Sequence, residues 1–475
     1  MSQPNLLIIC CDQLSAQALG PWGNTYAKTP NLGRLAARSL KFRQAYTNCP
    51  LCLPSRASFW SGRYPHQTGI LANGVCFENG TLDPARPTLG TLFHDAGYET
   101  VHFGKQHDGG ALRGFELSPI QRADRESLSL DSRFMYNHDT LEDAHTTEKA
   151  VEFLNHHSGS TPYLAAVDLN NPHNICQWIG ENSYDRPLSA SFEDLPDLPE
   201  NLYIDDEEMA KRPRPIQYLP YVHKRQAQMG GWDEAKIRHY LHAYHYYLSL
   251  ADAQIGRILA ALEAREDASN TMVLFFADHG DSMCGRWMGT KHTSFYEETM
   301  HVPMMFSGPG IKQGDHWAEG LCSLIDLLPT LCEYANLPAP AGLPGTSLVP
   351  QLRGEASDTK RDAVFAQWHT EFGYTIEPGR MVRTECYKYT RYIEGDGEEF
   401  YDLVADPGET RNLAFDPDYA EELDAHRQRL GAYCQSEGDP FFTLEYKVDP
   451  QFREGEPDYR SFSGTIAADL YEPKG

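Results

Sequence analysis

The chain has 475 residues, 41% of them apolar, which fits a globular protein with a large core and more than one domain. Its 41 basic and 67 acidic residues give a formal charge of −26, so we expect neither nucleic acid nor an anionic membrane as a partner. An anionic substrate must therefore be captured by basic residues gathered in one cleft.

The N-terminus and the cysteines indicate where the chain works. No apolar run of about 18 residues occurs, and MSQPNLLIICC enters a strand-like segment without a basic region or a cleavage site. The 11 cysteines are an odd number, and several lie in apolar runs, so we expect reduced core thiols rather than disulfides. We therefore expect a cytoplasmic protein.

Four short apolar runs end abruptly in polar residues of catalytic or metal-binding type. They cover residues 5–11, 100–103, 163–169 and 271–277, followed in turn by D-Q, G-K-Q-H, N-N-P-H and D-H-G. Continuous apolar runs are typical of strands covered by helices on both faces. Because ligands lie outside the carboxyl ends of such strands, we expect the four endings to meet in one crevice.

Helical patterns separate these runs. The clearest covers residues 235–262, where apolar residues recur in steps of four and three. Shorter helices are predicted at 29–39, 54–61 and 87–96. Strands alternating with helices predict an α/β fold built on a large mixed, mostly parallel sheet sandwiched by helices.

Proline and glycine punctuation near residues 337–345 marks a domain boundary. We predict an N-terminal catalytic domain over residues 1–355 and a smaller C-terminal α+β domain over residues 356–475. In the second domain, alternating runs separated by turn residues predict an antiparallel sheet, and residues 419–434 a covering helix.

The segment CPLCLPSR, residues 49–56, leads into one of the short helices. Pro54 suits a first helical turn and Gly62 suits its end, so Cys52 is predicted just before the helix N-terminus. An anion at Cys52 would meet free backbone N–H groups, the helix dipole and Arg56. The alternative is a buried cysteine in a strand-to-helix turn.

Two of the strand endings carry metal-ligand chemistry. Asp12, Asp278 and His279 offer carboxylate oxygens and an imidazole, and Gln13 offers a neutral carbonyl. Oxygen-rich ligation favours Ca²⁺, Mg²⁺ or Mn²⁺ over zinc. The alternative for each aspartate alone is a helix cap or a turn residue.

Together these motifs resemble the type I sulfatases of the alkaline phosphatase-like superfamily. C-L-P-S-R at 52–56 resembles the signature in which a maturation enzyme oxidises the cysteine to Cα-formylglycine. The family's order continues with G-K-Q-H at 104–107, N-P-H at 171–173, A-D-H-G-D at 277–281 and K-H-T-S-F-Y-E-E-T-M-H-V-P at 291–303. D-P-G-E-T-R-N-L near residue 410 resembles the family's C-terminal domain, so the resemblance spans nearly the whole chain.

The resemblance implies hydrolysis of a sulfate ester to an alcohol and inorganic sulfate, through a covalent sulfate on a formylglycine at position 52. It implies one divalent cation, expected to be Ca²⁺ with Mg²⁺ or Mn²⁺ as alternatives. The implied metal ligands are Asp12, Gln13, Cys52, Asp278 and His279. The implied catalytic residues are Cys52, Arg56, Lys105, His107, His173 and Lys291, and the implied substrate-binding residues are Lys105, His173, Lys291 and His292.

Each implied role meets a physical need of the reaction. Arg56, Lys105 and Lys291 would neutralise the sulfate oxygens. His173 or Lys291 would assist the leaving alcohol, and His107 would take a proton from residue 52 to release sulfate. The implied partners are a small sulfated saccharide or aryl sulfate and a formylglycine-generating or anaerobic sulfatase-maturing enzyme.

Two departures keep other functions open. Many sulfatases have a second aspartate at the position of Gln13 and an asparagine at that of His279, whereas the present pair also resembles phosphonate monoester hydrolases. In those enzymes the positions of Lys105 and His107 hold uncharged residues, so we favour a sulfatase. The alternatives are a phosphonate monoester or phosphodiester hydrolase with the same formylglycine and metal site, and a catalytically silent protein that binds sulfated glycans.

Overall fold

The fold was analysed in a computed structural model. It describes residues 3–73, 80–119, 138–189, 191–291, 294–355, 361–369, 378–393 and 397–444. His292, one of the predicted substrate-binding residues, lies outside these ranges.

Twelve strands and fourteen α-helices make up the regular structure of these ranges. The strands are β1 (Asn5–Asp12), β2 (Leu40–Tyr46), β3 (Glu99–Gly104), β4 (Glu116–Leu117), β5 (Tyr163–Pro172), β6 (Thr271–Ala277), β7 (Met304–Ser307), β8 (His316–Ser323), β9 (Val364–Trp368), β10 (Gly379–Arg383), β11 (Tyr387–Tyr392) and β12 (Glu398–Asp402). The helices are α1 (Pro30–Ala36), α2 (Cys52–Ser61), α3 (Pro65–Thr68), α4 (Leu89–Asp95), α5 (His138–His156), α6 (Ile175–Glu181), α7 (Asp206–Ala210), α8 (Arg214–Val222), α9 (Lys224–Gln228), α10 (Glu234–Glu263), α11 (Glu297–Met300), α12 (Leu327–Tyr334), α13 (Val349–Leu352) and α14 (Ala420–Glu437).

The larger sheet has eight strands in the order β4-β3-β5-β1-β6-β7-β2-β8. Strands β3, β5, β1 and β6 are parallel neighbours, whereas β7 is antiparallel to both β6 and β2. Every residue of β1 and of β6 is buried, as expected for strands covered on both faces. The predicted α/β fold with a mixed, mostly parallel sheet is confirmed.

The helix that carries Cys52 starts earlier than the sequence predicts. Helix α2 begins at Cys52 itself, after Leu51 in extended conformation, and ends at Gly62 with φ +67°. The Leu53 backbone N–H donates to Asn73 Oδ1 at 3.1 Å, so a side chain twenty residues further on caps the first turn. Cys52 is therefore the first helical residue rather than the residue before the helix.

The second sheet is antiparallel, in the order β12-β11-β10-β9, and α14 contacts β10 and β11. All four strands follow the predicted boundary at residue 355, although the division into two domains stays a prediction. The two sheets are joined near the site, because Gln367 N on β9 donates to Asn48 O, four residues before Cys52. The second sheet thus helps to hold the loop that leads into α2.

Two bulk expectations can be compared with the structure. Ten cysteines lie in the described part of the chain, and nine of them are buried, as predicted for core residues. Across the same residues, no helix combines the length and the apolarity needed to cross a bilayer. The cytoplasmic location stays a prediction.

Gly104, the last residue of β3, gives a first test of the fold. Its φ is +93°, and a Cβ added there would lie 2.1 Å from Asp168 O, whereas Gly97 has φ +87° with open space around it. We expect Gly97→Ala to destabilise by about 1–2 kcal/mol through its left-handed backbone alone. Gly104→Ala should cost about 1–3 kcal/mol more through the clash. Urea unfolding of both variants checks this, and equal losses would contradict it.

Candidate active site

Four neighbouring strand ends build one crevice, as the sequence predicts. Asp12 is the last residue of β1, Lys105 directly follows β3, His173 directly follows β5, and Asp278 directly follows β6. Since these four strands are parallel neighbours, their carboxyl ends lie at one edge of the sheet.

Cys52 sits at the centre of this crevice. Its Sγ is 3.6 Å from Asp12 Oδ1 and 3.1 Å from His279 Nε2. Lys105, Lys291, His107 and His173 lie close enough to act on the same side chain electrostatically. The structure therefore gathers the predicted nucleophile, its predicted proton-transfer partners and two predicted metal ligands around one atom.

Lys105 and Lys291 have different partners in the crevice. Lys105 Nζ forms an ion pair with Asp12 Oδ2, whereas Lys291 Nζ donates to the Gln13 carbonyl Oε1 at 2.7 Å. Lys291 is 6% exposed, and Gln13 is fully buried. Both ammonium groups therefore bring positive charge to the crevice.

Arg56 lies one helical turn after Cys52 and is completely buried. Its Nε donates to Asp278 Oδ2 at 3.0 Å, its Nη1 to Asp168 Oδ2 at 2.9 Å, and its Nη2 to Asp12 Oδ2 at 3.3 Å. The guanidinium thus faces three carboxylates from three strands. We expected it to neutralise sulfate oxygens, and here its visible contacts hold the carboxylates in place.

Gln13 has an unusual backbone, with φ +64°, which suits the turn after β1. Its N–H donates to Asp278 Oδ1 at 3.0 Å, and its Nε2 donates to Asp281 Oδ2 at 2.7 Å. Its Oε1 is the atom predicted to bind a metal. In the structure this oxygen accepts a hydrogen bond from Lys291 Nζ.

The remaining predicted ligands fit a divalent cation. Asp12, Cys52, Asp278 and His279 are all buried, and one donor atom from each lies within 4.8 Å of the others. The two carboxylates suit Ca²⁺, Mg²⁺ or Mn²⁺, whereas the thiol and the imidazole are ligands that also suit Zn²⁺. His279 Nδ1 also contacts the Gly280 carbonyl at 2.8 Å, which leaves Nε2 directed at Cys52.

The charges of the crevice act on Cys52 and His173. Burial on its own raises the pKa of the Cys52 thiol, but Lys105 and then Lys291 outweigh burial and hold that pKa well below its ordinary value. Burial, and next the charge of Lys291, lower the pKa of His173 to about 4. The crevice therefore favours negative charge at residue 52.

The structure adds residues that the sequence did not assign. Asp168 binds Arg56 and accepts from His102 Nε2 at 2.8 Å, and Asp281 accepts from both Gln13 and the Tyr240 hydroxyl. A carboxylate inside the apolar run of β5 was the available signal for Asp168, since an unpaired charge is rarely buried.

Comparisons with known proteins agree with this geometry. The family model described as Sulfatase matches residues 4–337, and the model described as N-sulphoglucosamine sulphohydrolase, C-terminal, matches residues 286–435. The chain is 42% identical to Delta 4,5-hexuronate-2-O-sulfatase of Bacteroides thetaiotaomicron, over 99% of this chain and 97% of that protein. It is 29% identical to choline-sulfatase of Rhizobium meliloti, over 87% of this chain and 83% of that protein.

Solved structures give the same result. A 2-O GAG sulfatase superimposes with a TM-score of 0.91 at 42% identity, covering 96% of this chain and 97% of that one. Phosphonate monoester hydrolase of Agrobacterium radiobacter superimposes with a TM-score of 0.72 at 22% identity, covering 91% of this chain and 96% of that one. At this identity the similarity concerns the fold alone.

The fold and the crevice define a hydrolase of sulfate esters with an alkaline phosphatase-like architecture. The chain belongs to the sulfatase family. The predicted family, fold and reaction class are confirmed, and the roles of individual site residues stay predictions.

The three-carboxylate environment of Arg56 gives a stability test. Arg56→Met leaves buried carboxylates without their partner, so we expect a loss of about 3–5 kcal/mol. Arg38→Met is the matched control, because Arg38 pairs with Glu263 at an exposed site, and its loss should stay below about 1 kcal/mol. Urea unfolding measures both, and similar losses would show that Arg56 does not hold these carboxylates together.

Proposed function

We propose that this sulfatase uses a formylglycine at position 52 to remove the 2-O-sulfate of a 4,5-unsaturated hexuronate in a short saccharide. The convergence of Asp12, His107, His173, Lys291 and His279 on the Cys52 side chain carries the chemical part of this proposal. The substrate part is supported by 42% identity to a hexuronate 2-O-sulfatase over nearly the whole chain.

The proposed chemistry divides the work among residues of the crevice. A formylglycine at position 52 would supply, when hydrated, the attacking hydroxyl, and a divalent cation held by Asp12, Asp278 and His279 would supply a Lewis acid. Lys105 and Lys291 bind the sulfate oxygens and offset the charge that grows on them. His107 takes a proton from residue 52, and His173 or Lys291 hydrogen-bonds the leaving alcohol.

The proposed cation is Ca²⁺, held by Asp12, Asp278, His279 and residue 52. Gln13, the fifth predicted ligand, would join them through a second lone pair of the carbonyl oxygen that accepts from Lys291. Formal charges support a divalent ion. With the histidines and residue 52 left out of the count, three basic residues (Arg56, Lys105, Lys291) face four acidic ones (Asp12, Asp168, Asp278, Asp281). A divalent cation turns this net charge of about −1 into about +1, which matches the single negative charge of a sulfate monoester.

The proposal also includes partners and a division of the chain. Conversion of Cys52 requires a formylglycine-generating or anaerobic sulfatase-maturing enzyme. Residues 1–355 form the proposed catalytic domain, since every metal-ligand candidate lies in it, and residues 356–475 form the smaller domain.

The modification is tested first. We expect the protease-derived peptide containing residue 52, from protein made together with its maturation enzyme, to carry formylglycine in proportion to activity. Mass spectrometry measures the modified fraction, and Cys52→Ala is the control without any modifiable side chain. Full activity in protein that carries only unmodified cysteine would disprove the proposed mechanism.

The substrate is tested by the position of the sulfate. We compare an unsaturated disaccharide sulfated at the 2-position of its uronate with its 6-O-sulfated isomer, and we expect kcat/KM to be about 100-fold or more higher for the first. A site built for the 2-O-sulfate would leave its polar groups unpaired when the 6-O-sulfated isomer binds. Sulfate release measures both reactions.

An aryl phosphonate ester on the same preparation tests the alternative. A preference for the phosphonate would favour the phosphonate monoester hydrolase activity, and equal rates on the two sulfated isomers would contradict the proposed 2-O specificity.

A further inference from the structure

Lys291 is held at its ammonium end and through the backbone before it, and both contacts lead to Asp281. At its ammonium end, Nζ donates to Gln13 Oε1 at 2.7 Å. At its backbone end, the preceding Thr290 N–H donates to the Tyr240 hydroxyl at 3.0 Å. Gln13 and Tyr240 both bind Asp281, so the two contacts are linked through one carboxylate.

Asp281 determines which way the Gln13 amide points. A glutamine side chain has a donating NH₂ on one side and an accepting carbonyl on the other. Gln13 Nε2 donates to Asp281 Oδ2 at 2.7 Å, and this contact turns Oε1 towards Lys291. In the reversed orientation the NH₂ group would face the ammonium, and two donors would meet.

The Tyr240 hydroxyl joins Asp281 to the chain before Lys291. It donates to the Asp281 carboxylate, with oxygens at 2.8 and 2.9 Å, and accepts from Thr290 N. Asp281 also accepts from Met283 N at 2.8 Å. Tyr240 and Asp281 are fully buried, so water does not compete for these hydrogen bonds.

The segment leading to Lys291 has a backbone that requires such support. Within residues 283–290, five residues other than glycine have positive φ, namely Met283, Cys284, Arg286, Trp287 and Thr290. Residues in this conformation are strained, and they persist only where surrounding contacts fix them. Ser282 N also donates to Thr290 O at 2.6 Å, which closes the loop on itself.

We propose that Tyr240 and Asp281 are positioning residues that hold the Lys291 ammonium where it binds the sulfate group. Asp281 orients the amide that receives the ammonium, and Tyr240 anchors the backbone from which the lysine extends. This inference rests on the proposed role of Lys291 in sulfate binding.

A double-mutant cycle on kcat/KM for the 2-O-sulfated disaccharide tests the inference. Tyr240→Phe removes only the hydroxyl, and we expect it to lower kcat/KM by about 10- to 100-fold, as removal of a residue that orients an active-site ligand does. In a Lys291→Ala background the same change should alter kcat/KM by less than about threefold, because the side chain that Tyr240 positions is gone.

The matched control is Tyr163→Phe. Tyr163 is also fully buried, at the first residue of β5, where its hydroxyl contacts Thr271 Oγ1 at 3.4 Å. Its loss should leave kcat/KM unchanged in both backgrounds, since it lies at the opposite end of the sheet from the crevice.

The outcomes separate this inference from the proposed function. If Tyr240→Phe lowers kcat/KM equally in both backgrounds, its effect is general or passes through the cation site, and the inference is overturned while Lys291 keeps its role. If Lys291→Ala itself leaves kcat/KM unchanged, the proposed role of Lys291 fails and the inference fails with it. Should Tyr240→Phe not fold, Asp281→Asn enters the same cycle with the same expectations.

Discussion

Arg56 is the charge on which the burial of Asp12, Asp168 and Asp278 depends. These carboxylates are at most 1% exposed, and an isolated carboxylate in a protein interior would take up a proton rather than stay ionised. The planar guanidinium donates in three directions, so one side chain reaches carboxylates on or directly after three neighbouring strands. A lysine would present a compact ammonium at one point and could not replace this arrangement.

Helix α2 meets the sheet so that Arg56 and Cys52 contact different sets of side chains. They lie four residues apart on α2 and therefore on the same helical face. Cys52, at the first position, contacts Asp12 and His279. Arg56, one turn further on, contacts Asp12, Asp168 and Asp278. Because β1 lies between β5 and β6, their three carboxylates approach the helix together. The parallel order of the strands thus fixes the position of Cys52.

Much of this could be predicted because the signals are local. An apolar run followed by a polar residue identifies a strand end, and four such ends led correctly to one crevice containing Asp12 and Asp278. The start of α2 could not be predicted, since its cap comes from Asn73, which no local pattern links to it. The contacts of Asp168 and Asp281 were also inaccessible, because they depend on which distant side chain faces each carboxylate after folding.

The two active-site lysines show why a neutral residue at position 13 matters. Lys105 is ion-paired with Asp12, so part of its charge is compensated before any substrate arrives. Lys291 is held by the Gln13 amide, a neutral group that fixes the ammonium without cancelling its charge. An aspartate at position 13 would compensate Lys291 as well. The whole chain has a net charge of −26. The neutral amide leaves the positive charge of Lys291 available to an anionic ester, at the edge of the sheet where Cys52 lies.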